Sequence, residues 1–376
     1  MCMKNNKNMI GFIFHRVLKH DPILFFAVVS LITAPIVFLI ASAMIPLFLQ
    51  GREQAQHDSG YRLVMGTFAH LKAIANDEDT AERCVEAAFA ELKKVDDLMS
   101  DYKGESEISE VNRDAFKRAV KVSKSTFEVL QKSLEFSRLS GGAFDITIAP
   151  LAELWRTAAE SNSVPTEAEL ADARSKVGYE KLILDANVMT VRFTVEGMKL
   201  DLGGIAKGYA IDRAVEAMQA GGATGGMVDV GGDIRCFGLP PKGKKTWRIG
   251  LQNPTETDSD EETLAGVADQ VLMVLKLTDA AIATSGGYRR FFLIEGKKYS
   301  HIVNPDTATS AGGLSSVTII SQNALDADAL ATSVSVMGPE KGLSLIEKIP
   351  DTEAILITPS PDFQLIKTAG AEKYIK

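Results

Sequence analysis

Cysteine is scarce in this sequence: Cys2, Cys84 and Cys236 stand alone among 376 residues. Three cysteines do not make a disulfide framework, and their spacing holds no metal-binding pair. None follows the small-residue pattern that marks a lipoprotein. Basic excess is missing too. The formal net charge is −8, and no Lys/Arg stripe runs through the chain, which argues against nucleic acid as a partner. There is no internal repeat and no low-complexity tract. Neither standard phosphate loop is present. In "GGIAKG" (203–208) Lys207 precedes Gly208 and Tyr209 follows, where a Walker A loop needs Lys and then Ser or Thr after its last glycine. No G-x-G-x-x-G follows a strand.

What the sequence does have begins at the N-terminus. Residues 1–21 carry a net +3 from Lys4, Lys7, Arg16 and Lys19 against Asp21, which leaves −11 on the remainder. From Ile23 to Leu49 the chain runs for 27 residues without a charge, more than the roughly 20 that cross a bilayer. Basic residues precede this run, so the positive-inside rule places them in the cytoplasm and the body outside. Ala41-Ser42-Ala43 resembles a signal-peptidase site. The apolar run is long for a signal peptide and continues past that site, which favours an uncleaved anchor. The expected organisation is a basic N-terminus (1–21), a transmembrane segment (22–49), a linker (50–60) and one exported domain (61–376).

The body mixes helix and strand patterns and predicts an α+β, or mixed α/β, fold. Ala81, Val85, Ala88, Leu92, Val95 and Met99 recur at helical spacing behind Asp79 or Thr80 as a cap. Further helices are expected over about 125–139 and 206–219, each stopped by a glycine pair. Strand-like runs cover 227–230, 247–252, 271–277, 315–321 and 353–358. Acidic "TETDSDEET" (255–263) reads as a solvated loop.

Four places carry chemistry-bearing residues. "ALDADALATSVSVMG" (324–338) predicts a half-buried helix with Leu325, Leu330, Val334 and Met337 as its stripe. Asp328 and Thr332 are four apart and share a face, which suits either a hydrogen-bonded pair or two oxygen ligands for a hard cation. "KLDLGG" feeding "IAKGYAID" points backbone amides at an anion. In "SGGAFDITIAPL" (140–151), Phe144 and Asp145 suit a stacked, hydrogen-bonded heterocycle or, equally, a core aromatic and a capping carboxylate. "YSHIVNP" (299–305) holds His301 between Ser300 and Asn304, and lone histidines are commonly structural.

Nine blocks occur in a particular order: "MGT" (65–67), "MSDY" (99–102), "SEISEVN" (106–112), "GGAFDITIAPL", "LDLGGIAKGYAIDRA" (200–214), "VDVGGDIR" (228–235), "IATSGGY" (282–288), "SHIVNP" and "DADALATSV" (326–334). With these blocks the chain closely resembles the ApbE-like FAD:protein FMN transferases over about residues 61–365. The resemblance implies an enzyme that uses Mg2+ and FAD to place FMN on a threonine hydroxyl of a flavoprotein, releasing AMP. The implied acceptors are subunits of the Na+-translocating NADH:quinone reductase or of Rnf-type complexes, on the outer side of a bacterial inner membrane. Some family members hydrolyse FAD to FMN and AMP, and a non-catalytic flavin-binding protein is a third reading. By the same resemblance Met65 and Tyr102 contact the flavin nucleotide, and Ala143, Phe144 and Asp145 line its pocket. Lys207 lies on the nucleotide. The Ala210 carbonyl, Asp328 and Thr332 are the implied Mg2+ ligands, which makes Asp328 catalytic. His301 lies near the diphosphate, where it is the candidate for proton transfer.

Overall fold

The computed structural model describes residues 54–241, 243–254, 271–286, 291–359 and 363–375. The basic N-terminus, the apolar run 22–49 and the acidic loop therefore lie outside the described residues. Among those described, no helix is long and apolar enough to cross a membrane. The expected linker ends earlier than 60, because strand β1 starts at Ala55 (Ala55–Val64). Its sequence, AQHDSGYRLV, breaks the strand alternation with turn-forming residues, and the structure absorbs them in a register shift between Asp58 and Tyr61.

An eight-stranded antiparallel sheet forms the centre. Its strands are β1, β2 (Thr67–Ala75), β6 (Gly225–Val230), β7 (Asp233–Gly238), β10 (Ala280–Gly286), β13 (Ser316–Ser321), β14 (Glu353–Ile357) and β15 (Leu365–Lys367), in that spatial order. Period-2 alternation divides their side chains between two cores. Leu71, Val228, Ala283, Val317, Ile319 and Leu356 face the helices. Ile74, Ile234, Cys236, Ile282, Ile320 and Ile355 face the β8–β9 ribbon (Trp247–Gln252 and Val271–Leu277), where Trp247, Leu251 and Leu275 meet them. The sheet is covered on both faces, and its central strand β13 is buried along its whole length. A small sheet of β3 (Val120–Lys121), β5 (Thr190–Phe193) and β4 (Leu182–Asp185) and a hairpin of β11 (Phe291–Ile294) and β12 (Lys297–Ser300) complete the strands that matter here.

The helices are α1 (Glu78–Met99), α2 (Glu107–Asp114), α3 (Lys124–Leu139), α4 (Ala149–Ser161), α5 (Glu167–Ser175), α6 (Ala206–Ala220), α7 (Ala324–Met337) and α8 (Pro339–Ile346). The α1 cap is Asp77 rather than Asp79 or Thr80: its carboxylate accepts from Thr80 N at 2.8 Å. Helix α7 departs from the half-buried expectation. Ala327, Ala329, Ala331, Ser333 and Ser335 are buried along with Leu325, Leu330 and Val334, so the helix is covered nearly all round. Its small residues allow that. They admit α6 on one side, and a Cβ on Gly208 would fall 2.3 Å from the Ala324 carbonyl oxygen.

That close approach generates a test. Gly208→Ala pushes a methyl into backbone that no rotamer change can move and should cost about 1–3 kcal/mol or more. Gly104→Ala meets nothing within 4 Å and should stay within about 0.5 kcal/mol. Denaturant midpoints of the two variants against the parent protein check both values.

Candidate active site

The site lies where α6 begins, at the end of the sheet that carries the β1–β2 and β6–β7 turns. Both turns contain two residues. Met65 and Gly66 adopt φ of 52° and 69°, and Gly231 and Gly232 adopt 66° and 94°, the left-handed pairing that tight hairpins need. The turns stand side by side, because Gly231 N donates to the Phe68 carbonyl at 2.9 Å. Met65 itself is half-buried against the helical core. The β6–β7 turn delivers Asp233 as the first residue of β7, and Asp229 braces it by accepting from Gly232 N at 2.9 Å.

Helix α6 has no side-chain cap of its own. Its cap comes from α7: Asp328 Oδ2 accepts from Gly208 N at 3.0 Å. The arrangement is reciprocal. Asp212, on α6, accepts from Ala324 N at 2.8 Å and Leu325 N at 2.9 Å, the first amides of α7. Arg235 Nη1 donates to the same Asp212 carboxylate at 2.7 Å. Two helix N-termini, with their positive dipole ends, therefore converge at one place.

Lys207 completes the cluster. Its ammonium forms an ion pair with Asp233 and donates to Asp328 Oδ1 at 3.3 Å and Oδ2 at 3.4 Å. Asp233 Oδ1 also accepts from Thr284 N at 3.1 Å. Asp328 is 3% exposed, and that burial, with Asp233 nearby, pushes its carboxyl up to about 6 against the pull of Lys207. Burial alone would depress Lys207, but the charges of Asp233 and Asp328 outweigh it and hold the ammonium above the usual lysine range. Lys207 remains charged, with 28% of its side chain open to solvent.

Thr332 sits one turn beyond Asp328. Ser333 and Ser335 return their hydroxyls to carbonyls of their own helix at 2.7 and 2.8 Å. Among the described residues Thr332 makes no such bond, and its Oγ1 would lie 2.9 Å from a Cβ placed on Gly204. Gly204 is thus the glycine that lets the chain entering α6 pass against Thr332. The oxygens assembled here are the Asp328 and Asp233 carboxylates and the Thr332 hydroxyl, with neither sulfur nor imidazole among them. Such a donor set suits a hard cation like Mg2+. Among the described residues no group of three or more His, Cys, Asp or Glu forms a metal cage. A cation here would depend on backbone or substrate oxygens as well.

The other expected residues divide. Phe144 is 2% exposed, meets Phe136 edge-on at 6.2 Å, and lies 3.3 Å from a Cβ built on Gly204, so it forms core beneath the Gly204–Thr332 contact. Asp145 accepts from Thr147 N at 2.8 Å, Thr147 Oγ1 at 2.6 Å and Tyr179 N at 2.8 Å. Burial pushes its carboxyl up although these three donors oppose the shift. Phe144 is thus packed in the core, and the Asp145 carboxylate is held in place by these three donors. Ala143 is half-buried in the turn before them. Ala210 is fully buried, three and two residues further along α6 than Lys207 and Gly208, which meet Asp328, and its carbonyl belongs to the helical ladder. Tyr102 is 80% exposed on the α1–α2 turn. His301 follows β12, in a stretch fixed by Ala311 N donating to Ile302 O at 2.8 Å and by Val303 packing with Leu151 and Trp155 of α4.

Sequence reasoning had no role for Asp233, Asp212, Thr284 or Gly204. All four act through partners more than 20 residues away. The available signal was the carboxylate directly after the Gly231–Gly232 turn, where a chain reversal presents the next side chain at the sheet end.

Replacing Lys207 with Met would leave Asp233 and Asp328 facing each other without a cation. Breaking one partner out of such a cluster should cost about 3 kcal/mol, the low end of the range because Lys207 is partly solvated. Chemical denaturation without divalent cations measures the loss.

The matches to known proteins follow this geometry. The model of the ApbE family matches residues 65–356. Curated relatives called FAD:protein FMN transferase include one from Treponema pallidum, 30% identical over 335 residues, covering 85% of this chain and 89% of the relative. Another, from Vibrio cholerae, is 33% identical over 287 residues, covering 75% and 82%. Among solved structures, the flavin transferase ApbE from Vibrio cholerae superposes with a TM-score of 0.72 at 29% identity, covering 85% of this chain and 99% of that one. The ApbE protein of Thermotoga maritima gives 0.73 at 29%, covering 86% and 100%.

Proposed function

Because this chain belongs to the ApbE family, we propose that it is an FAD:protein FMN transferase, acting with Mg2+ on a threonine hydroxyl of a flavoprotein and releasing AMP. The observation that carries the reading is the cluster of Lys207, Asp233 and Asp328 at the start of α6, with the Thr332 hydroxyl alongside. Attack by a hydroxyl on the FMN phosphorus breaks the diphosphate, expels AMP and develops charge on phosphoryl oxygens. Such reactions are governed by positioning and electrostatic stabilisation.

Each part of the cluster has a task in that chemistry. Lys207, kept charged and held in place by Asp233, meets the diphosphate. Thr284 fixes Asp233 in turn through its amide. Asp328 and Thr332 hold Mg2+, which supplies charge neutralisation at the phosphates. Asp328 also caps α6, so the helix that presents Lys207 and the helix that presents the metal ligands cannot move independently. His301 is the residue proposed to carry the proton released by the threonine. The apolar run 23–49 anchors the enzyme in a bacterial inner membrane with its catalytic body outside. That placement brings it to subunits of Na+-translocating NADH:quinone reductase or Rnf type.

The test combines the protein with FAD, Mg2+ and a candidate subunit and follows AMP release together with covalent flavin fluorescence on a denaturing gel. A fluorescent band that chelator abolishes is the expected result. AMP without a band identifies an FAD hydrolase instead. Asp328→Asn should lower transfer by at least about 100-fold with circular dichroism unchanged. A fully active Asp328→Asn variant removes that carboxylate from the site.

A further inference from the structure

Tyr102 has a neighbour that the metal and phosphate chemistry does not use. The guanidinium of Arg156, on α4, lies with Cζ 5.7 Å from the Tyr102 ring centroid, and its Nη2 donates to the phenol oxygen at 3.4 Å. Several bonds join this pair to the chain entering α6. Asn112, on α2, brackets Leu200: Leu200 N donates to Asn112 Oδ1 at 2.7 Å, and Asn112 Nδ2 donates to the Leu200 carbonyl at 3.0 Å. Lys199 bridges to Ile148 at the start of α4, and Asp201 N donates to the Ile146 carbonyl at 2.8 Å. Asp201 then accepts from Gly203 N at 2.7 Å, one residue before the Gly204 that touches Thr332. Tyr102 and Arg156 therefore lie on elements bonded to the chain that runs into the Lys207–Asp328 cluster.

The charges on this wall decide what it takes. Asp201, Arg156 and Glu153 all act on the Asp101 carboxyl, which partial burial together with the charge of Asp201 pushes up. Lys199 is bound to Glu153 at 2.8 Å. Three carboxylates against the two cations Arg156 and Lys199 leave this wall without the positive charge a diphosphate needs, and that charge is Lys207 at the other end of the Gly203–Gly204 run. The carboxylates suit an uncharged planar ring that bears N–H donors: the ring stacks on the phenol, and its N–H groups meet a carboxylate. A guanidinium on a phenol face adds a rigid, planar backing that an ammonium does not.

We infer that Arg156 is a positioning residue for ring recognition, holding Tyr102 so that its face receives the heterocycle of FAD. The inference rests on FAD being the substrate. Both rings of FAD, isoalloxazine and adenine, have this chemistry, and the experiment separates them.

FAD binding to the full-length protein is followed by quenching of flavin fluorescence. Arg156→Ala should weaken binding roughly two- to fivefold, the range of an exposed cation–π contact. The KM for FAD should rise more than kcat falls. Arg156→Lys should not rescue binding. Tyr102→Ala combined with Arg156→Ala should bind no more weakly than Tyr102→Ala alone, since one residue acts through the other. Competition by riboflavin and by adenosine assigns the ring: the one whose affinity falls in Arg156→Ala occupies this wall. Unchanged FAD binding in Arg156→Ala, additive losses in the double variant, full rescue by Lys, or no change for either ring overturns the inference. A parent protein that does not bind FAD overturns the functional reading, and this inference with it. A parent that binds FAD beside an unaffected Arg156→Ala overturns the inference alone.

Discussion

Helices α6 and α7 cap each other. Asp328 of α7 takes an amide from the first turn of α6, and Asp212 of α6 takes two amides from the first turn of α7. Unbonded amides at a buried helix start are costly: α6 has no side-chain cap but Asp328, while α7 shares its first amides between Asp212 and its own cap Asn323, which accepts from Asp326 N at 2.8 Å. The exchange works only at short range, which Gly208 permits by carrying no side chain opposite the Ala324 carbonyl. Two charged groups are thereby buried where an apolar core would be simpler. The same geometry brings two positive helix ends to one spot, and Asp328 stays within reach of Lys207 there.

The sheet supplies what the helices lack. Its two apolar faces lock it between the helical layer and the β8–β9 ribbon, so the strand ends and their turns are placed rigidly. From that frame Asp233 and the Thr284 amide reach the start of α6. The cluster thus draws on α6, α7, β7 and β10, with Gly204 and Phe144 shaping its floor. A site shared among elements far apart in sequence exists only when the whole core is assembled, which couples its geometry to the stability of the fold.

Much of this was legible beforehand, for identifiable reasons. Helix α1 announced itself by period-3.6 spacing behind a capping residue, and α3 and α6 by their glycine stops. Strand β8 appeared as an alternation of apolar residues with Arg248, Gly250 and Gln252, and β9 as a nearly continuous apolar run. β1 did not, because its Asp-Ser-Gly run reads as a turn until a bulge accommodates it. The α7 stripe was misjudged as half-buried, since alanine and serine are as compatible with a tight helix crossing as with solvent. Phe144 and Asp145 stood out as an aromatic beside a carboxylate, but the Tyr179 amide that Asp145 accepts from is 34 residues away and left no local sign.

By itself the sequence determined the family, through nine ordered blocks, and the pairing of Asp328 with Thr332 on one helical face, because both are local properties of the chain. It determined as well that Lys207 opens a helix behind a glycine pair. The tertiary structure alone decided which charges meet that lysine. Asp233 and Asp328 lie 26 and 121 residues away from it, and no local pattern encodes a distance of that kind. Their meeting follows from how the sheet and two helices pack, and packing is a property of the assembled core.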